Sequence, residues 1–151
     1  MKLKLWVEAE GSDDMDLFVG IKKYDKHGSE VYLPDYNHIE NGIVANGWLR
    51  VSHRELDTER STSYQPWLKH QRALKLKPGE IVPVEIEIWP SSTLFRAGES
   101  LGLIIQGGDI ISKGWRGLHK ETLNEGKHVI YAGGKYDSHL LVPVVPPKCC
   151  Q

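Results

Sequence analysis

The sequence predicts an all-β fold, either a β-sandwich or a jelly roll. Apolar and polar residues alternate with period two through most of the chain, which is the pattern of half-buried strands. About eight such short segments are separated by turn-forming residues, and none shows a sustained helical period. This number and spacing of strands favours two packed sheets over one open sheet.

The first half of the chain carries the opening strands. Residues 3–7 and 17–21 each place Leu, Ile or Val at every second position, which puts these side chains on one face of a strand. The turn at 25–28 is followed by a returning strand at 30–34, which together predict a hairpin. Residues 46–55 alternate again, with Leu49 and Val51 on the same side.

The second half contains the clearest alternation. Residues 74–77 and 82–88 alternate on either side of a Pro78-Gly79 turn, in which Pro presets φ and Gly accepts a positive φ. Pro83 cannot donate a ladder hydrogen bond and therefore predicts an edge strand or a bulge. The remaining strands are predicted at 100–106, a buried strand, and at 127–134 and 138–146.

One segment, Leu56 to Gln71, departs from this pattern. It is too polar and too long for a hairpin turn. Long ordered loops of this kind are often functional or docked against another surface. We therefore expect the loop to contribute to any binding surface.

Length and charge limit the possible functions. The 151 residues with 40% hydrophobic content predict one domain, which we assign to residues 1–146, followed by a flexible tail at 147–151. A net charge of −1 gives no strong field for binding nucleic acid or an anionic membrane. The two cysteines, Cys149 and Cys150, are adjacent and predict reduced thiols, which favours a cytoplasmic protein.

Catalytic and metal motifs are not found in the sequence. The seven histidines lack the H-x-x-x-H or H-E-x-x-H spacing of metal sites and are interpreted as isolated side chains. The G-x-S-x-G elbow of serine hydrolases is missing, and Asp13, Asp14 and Asp16 are interpreted as turn formers rather than calcium ligands. We therefore predict no catalytic, cofactor or metal residues.

Aromatic residues are abundant, with five tryptophans and six tyrosines. Trp6, Trp48 and Trp89 alternate with apolar residues, so each could lie on an outer face or on the face of a second sheet, and the core is the favoured position for each. Trp67 and Trp115 lie in or beside irregular segments, where a core and a surface position are equally expected. Exposed aromatic and Arg side chains are typical of interfaces and sugar-binding surfaces. The candidate interface or ligand-facing residues are Tyr64, Trp67, His70, Trp115 and Arg116.

Four segments, taken together and in order, resemble a known family. They are "DDMDLFVGIKKYDKHG", "GWLRVSHRELD", "LKPGEIVPVEIEIWPSSTLFRAGESLGLIIQGGD" and "HVIYAGGKYDSHLLVPVVP". Their features include a Pro-Gly-Glu turn, an F-x-A-G-x-x-L run and a Pro-Val-Val-Pro close. The chain resembles the C-terminal non-catalytic domain of X-Pro dipeptidyl-peptidase and of cocaine-esterase-type (CocE/NonD) serine hydrolases.

The resemblance implies a jelly-roll β-sandwich similar to galactose-binding domains. It implies a non-catalytic module that packs on an upstream α/β-hydrolase domain of the same polypeptide and shapes access for peptide, ester or amide substrates. None of the family's catalytic residues has a counterpart in this sequence, and the family usually has one more strand before "LKLWVE". We therefore expect an exposed apolar patch that favours self-association.

A carbohydrate-binding module is the alternative. Jelly rolls host such sites, and Tyr64, Trp67 or Trp115 would stack on sugar rings if exposed.

Overall fold

The structure, a computed structural model, describes residues 1–34, 40–110, 122 and 124–145. In this part of the chain all regular structure is β, apart from one 3₁₀ turn at Val51–His53. The strands are β1 (Lys2–Glu10), β2 (Asp16–Tyr24), β3 (Glu30–Val31), β4 (Leu33–Pro34), β5 (Glu40–Gly42), β6 (Ala45–Arg50), β7 (Val82–Glu87), β8 (Ser100–Gln106), β9 (Lys127–Tyr131) and β10 (His139–Leu141).

Two antiparallel sheets, each built around one long strand, form the fold. In the first sheet, β1 pairs with β7 along one side and with β10 and β9 along the other. In the second sheet, β2 pairs with β6, β3 and β8. A separate two-stranded sheet joins β4 and β5. The predicted all-β sandwich is confirmed, whereas the galactose-binding-like detail stays a prediction.

The core consists of the apolar side chains between the two sheets. Every second residue of β1 and of β7 is buried, as the period-two pattern predicts. β2 is buried along its first six residues on both faces, because it is the central strand of its sheet. The largest buried side chains are Leu3, Met15, Leu17, Ile21, Ile86 and Ile88.

The two sheets come together where β7 ends. The Ile88 N–H donates to the Met1 carbonyl (3.0 Å), and the Trp89 N–H donates to the carbonyl of Asn46 in β6 (3.1 Å). The chain after β7 thus leaves the first sheet and hydrogen-bonds to the second. Gly47 is next to this crossing and lacks the side chain that would block it.

Several predictions of individual elements are confirmed. The hairpin at 17–34 forms, with Lys23 opposite Val31 in β2 and β3. Pro83 lies in β7, which pairs with β1 alone among the described strands and so is an edge strand. By contrast, Asp16 lies in β2, so its interpretation as a turn former is wrong. Asp14 Oδ1 accepts the N–H groups of Met15 and of the distant Ser52, both at 2.9 Å.

Other predictions are wrong. Residues 74–77 form no strand, because Leu74 donates to the Ser52 carbonyl while Leu76 donates to that of Asp13, so no single ladder forms. The alternating segment that begins at Asn46 does not continue as a strand beyond Arg50, because β6 ends there and Val51–His53 form the 3₁₀ helix. β8 exists, but it is only partly buried, with Leu103 39% exposed.

The predicted tail at 147–151, with Cys149 and Cys150, lies outside the described residues. The described residues include no helix that is both long enough and apolar enough to span a membrane.

Candidate functional site: a tryptophan groove between the two sheets

The long loop folds back on itself as an irregular hairpin. Leu56 and Leu68 form an isolated antiparallel bridge, and the Asp57 N–H donates to the Trp67 carbonyl (2.7 Å). At the base of the loop, the Lys69 N–H donates to the Glu55 carbonyl (2.9 Å). The predicted irregular segment is therefore ordered by its own backbone hydrogen bonds.

This loop is docked against β6 and β7. The Gln65 Nε2 donates to the Glu87 Oε1 at 3.0 Å, and Pro66 is buried beneath the loop. Between the loop and the two strands lies a shallow groove of about 300 Å³, which we call the tryptophan groove. It is lined by Trp48, Leu49, Pro66, Trp67, Leu68, His70, Glu85, Ile86, Glu87 and Trp89.

Three partly exposed tryptophans line the groove. Trp48, Trp67 and Trp89 are 37%, 45% and 55% exposed. The rings of Trp48 and Trp89 lie 5.4 Å apart, tilted by 54°, and the Arg60 guanidinium lies 5.2 Å above the Trp67 ring. A cluster of exposed indoles beside a groove is the composition that protein interfaces favour.

The core position expected for Trp48 and Trp89 is wrong, since both side chains reach the surface. Trp48 lies between two buried residues of β6, Gly47 and Leu49. Period two therefore turns its side chain outward. Trp6 is half-buried on the outer side of β1 by the same rule.

The predicted interface residues divide into three groups. Trp67 and His70 line the tryptophan groove. Tyr64 is 63% exposed at the tip of the same loop but does not line the groove. Trp115 and Arg116 lie outside the described residues. The sequence interpretation missed Trp48, Trp89 and Glu87, although their place in alternating strands was the available signal.

Two histidines meet at the end of the loop. The Nδ1 atoms of His53 and His70 are 3.4 Å apart, and the ring centroids are 5.5 Å apart. The interpretation of these two histidines as isolated is therefore wrong. They lie 17 positions apart in the sequence, and closure of the loop between Leu56 and Leu68 brings them together.

A second aromatic surface covers the outer face of the first sheet. Tyr136 contacts Trp6 (5.6 Å between centroids) and Tyr131 (4.9 Å). Asp137 accepts hydrogen bonds from Lys4 Nζ and Trp6 Nε1, both at 2.8 Å. These two hydrogen bonds, that of Lys4 first, lower the pKa of Asp137 to about 2. Hydrogen bonds thus hold the polar and aromatic side chains of this surface in place.

Across residues 1–34, 40–110, 122 and 124–145, no three His, Cys, Asp or Glu side chains converge as metal ligands. The groove offers apolar indole faces, the Glu85 and Glu87 carboxylates and an imidazole, which suits binding more than bond cleavage.

Comparison with known proteins identifies relatives. Residues 1–141 match the family model of the X-Pro dipeptidyl-peptidase C-terminal non-catalytic domain. Two crystal structures of a CocE/NonD family hydrolase from Staphylococcus aureus are similar, each at 59% identity with a TM-score of 0.85. The match covers 91% of this chain but 26% of that hydrolase, so the chain spans about a quarter of its length. The comparison with curated proteins finds no match.

Proposed function

The chain belongs to the family of X-Pro dipeptidyl-peptidase C-terminal non-catalytic domains, and from this premise we propose that it serves a larger hydrolase as an accessory domain. In this proposal residues 1–146 pack on an α/β-hydrolase catalytic domain of the same polypeptide and shape substrate access. The parent activity is hydrolysis of peptide, ester or amide bonds. The observation that carries the proposal is 59% identity to a quarter of a CocE/NonD family hydrolase.

We assign the tryptophan groove as the surface that docks on the catalytic domain. Its three exposed indoles would lose unfavourable contact with water on docking. The loop that forms one wall is held in place by the Gln65 side chain and by backbone hydrogen bonds within the loop. Little conformational entropy is therefore lost on binding. Excluding water and positioning substrate are contributions that a non-catalytic wall makes to hydrolysis.

A complementation experiment tests this function. The S. aureus hydrolase is truncated before the region similar to this chain, and the chain is then added in trans or fused in its place. We expect the chain to bind the truncated hydrolase and to restore hydrolysis of a nitrophenyl ester, with background turnover by the chain alone. The hydrolase's own C-terminal region is the positive control. If that region restores activity and this chain neither binds nor restores it, the proposal is wrong.

Self-association and cellular location are also part of the proposal. With its groove uncovered, the isolated chain is expected to self-associate through the exposed tryptophans, which sedimentation at rising concentration would detect. A cytoplasmic location follows from the interpretation of Cys149 and Cys150 as reduced thiols.

The carbohydrate-binding alternative is not favoured, because the matched family is defined as a domain of a peptidase. Titration with simple sugars is expected to show no binding. Saturable sugar binding that Trp67→Ala abolishes would support the alternative instead.

A further inference from the structure

We propose that His53 and His70 form a binding site for a divalent transition-metal ion, held by their two Nδ1 atoms and completed by water. The site shares His70 with the tryptophan groove, but its ligands are the two imidazoles and its test uses the isolated chain, so its outcome does not depend on docking. It adds an open, two-ligand metal site to the end of the long loop.

The distance between the two nitrogens supports this site. Two nitrogens bound to Zn²⁺ at about 2.05 Å in tetrahedral geometry lie about 3.3 Å apart. The Nδ1 atoms of His53 and His70 are 3.4 Å apart, which matches that edge. A direct hydrogen bond between them would have a usual length of about 2.7–3.2 Å, so 3.4 Å is longer than that contact favours.

The orientation of the rings agrees with the distance. The centroids lie 5.5 Å apart while the Nδ1 atoms lie 3.4 Å apart. Each ring therefore turns its Nδ1 toward the other. When both imidazoles are neutral and carry their proton on Nε2, both Nδ1 lone pairs are available to a shared metal ion.

The backbone conformation of His70 is a second observation that supports a functional site here. His70 has a φ of 50°, and no other residue except glycine has a positive φ in the described ranges. A non-glycine residue in this conformation costs about 1–3 kcal/mol and is often found at functional sites. Here the conformation places the His70 ring against His53 at the point where the loop closes.

Nearby cations are directed elsewhere. The Arg72 guanidinium binds both carboxylate oxygens of Glu55, at 2.8 and 2.9 Å, and the Lys69 ammonium lies 3.6 Å from the same carboxylate. Arg54 donates to the backbone carbonyls of Val51 and Leu74. Their charges are thus paired or turned toward carbonyls, which reduces repulsion of an incoming cation.

The chemistry of the ligands selects the metal. Neutral imidazole suits Zn²⁺, Cu²⁺ and Ni²⁺, whereas Mg²⁺ and Ca²⁺ prefer oxygen ligands. Two protein ligands leave two positions of a tetrahedral Zn²⁺ to water, which is the arrangement of an exchangeable site. We therefore expect moderate affinity and rapid exchange.

The test is a calorimetric titration of the 151-residue chain with Zn²⁺, and separately with Mg²⁺. Because thiolates bind Zn²⁺, every protein carries Cys149→Ser and Cys150→Ser. We expect Zn²⁺ binding that His53→Ala and His70→Ala each weaken about ten-fold or more, because even residues that only orient a metal ligand are worth about 10–100-fold in affinity. Mg²⁺ is expected not to bind there.

Two further variants separate metal binding from folding. His70→Gly accepts the positive φ without strain but removes the ligand. Its free energy of unfolding, measured in urea, should match that of the parent, whereas its Zn²⁺ affinity should be lost. His27→Ala removes an exposed histidine of the 25–28 turn and should bind like the parent. Absence of Zn²⁺ binding, or binding that the changes at 53 and 70 leave unaltered, would overturn the proposal.

Discussion

The backbone of Gly47 lies so close to that of Glu87 that a β-carbon at position 47 would stand 1.9 Å from the Glu87 carbonyl oxygen. The contact joins β6 of one sheet to β7 of the other. Gly47→Ala is therefore expected to force the sheets apart and to lower the free energy of unfolding by about 3 kcal/mol, the upper end of the usual cost of overpacking. Urea unfolding followed by tryptophan fluorescence measures the change.

Gly108→Ala is the matched control for this change. A β-carbon at Gly108 meets no atom within 4 Å, and its φ is not in the positive range. Its unfolding free energy should stay within about 0.5 kcal/mol of the parent value. Equal effects of the two substitutions would contradict the close contact at position 47.

Asp14 is expected to stabilise the turn before β2 through its buried carboxylate. Its Oδ1 accepts the N–H of Ser52 at 2.9 Å, and Lys75 lies 3.3 Å from its Oδ2. Asp14→Ala leaves the buried Ser52 N–H without this acceptor and should cost about 1–3 kcal/mol. Asp14→Asn keeps an acceptor oxygen and loses only a partly exposed ion pair, so it should cost about 1 kcal/mol or less.

Chemical denaturation of the two Asp14 variants at neutral pH measures both values. A loss with Asp14→Asn as large as that with Asp14→Ala would show that the charge, rather than the hydrogen bond to Ser52, stabilises the turn.

The lowered pKa of Asp137 predicts that the free energy of unfolding depends on pH in the acidic range. Its pKa falls from the usual 3.8 to about 2, through hydrogen bonds from Lys4 and then Trp6. A carboxyl whose pKa is lower in the folded state stabilises that state above the unfolded pKa, and this contribution disappears as the pH falls toward the folded pKa. The parent should therefore be more stable than Asp137→Asn above pH 4, and the difference should shrink as the pH falls below 4 and be lost below pH 2.

Urea unfolding of the parent and of Asp137→Asn at intervals from pH 6 to about pH 1 measures this difference. Other carboxylates titrate in both proteins, so the comparison isolates Asp137. A difference that stays constant across the range would exclude the two hydrogen bonds as its source.

Trp67 and Trp89 are expected to account for much of the docking energy of the tryptophan groove. Replacing either by Ala should weaken binding to the truncated hydrolase by about 2 kcal/mol, which is about a 30-fold loss of affinity. The change should leave the fold intact, because both side chains are about half exposed. Sedimentation or calorimetry with the complementation pair measures the affinity.

Tyr32→Ala is the control for docking, since Tyr32 is 56% exposed and does not line the groove. Equal weakening by Tyr32→Ala would show that general surface hydrophobicity, rather than the groove, determines binding.

The sheets were largely predictable from the sequence, because each strand's pattern is local. Period two alone identifies the buried faces of β1 and β7. It failed at residues 74–77, where the alternation is present but the backbone hydrogen bonds go to Ser52 and Asp13. Whether an extended segment joins a ladder depends on distant partners, and these are not visible in the segment itself.

The site was less predictable, because it depends on how one loop closes. Trp67 and His70 were identified as interface candidates from the polarity of the loop, and both line the groove. His53 and His70 lie close together because Leu56 pairs with Leu68. No sequence motif indicates this pairing. Trp48 was assigned to the core on hydrophobicity, although its alternation with Leu49 indicated the outer face.

The position of β1 has a consequence for biosynthesis. Within this domain β1 is translated before its partners, which are residues 82–87, 127–131 and 139–141. Its pairing is complete only after most of the domain has been translated. Such a high contact order slows folding and prolongs the exposure of an unpaired, aggregation-prone strand. A chaperone that binds the nascent polypeptide would therefore favour correct folding of this domain.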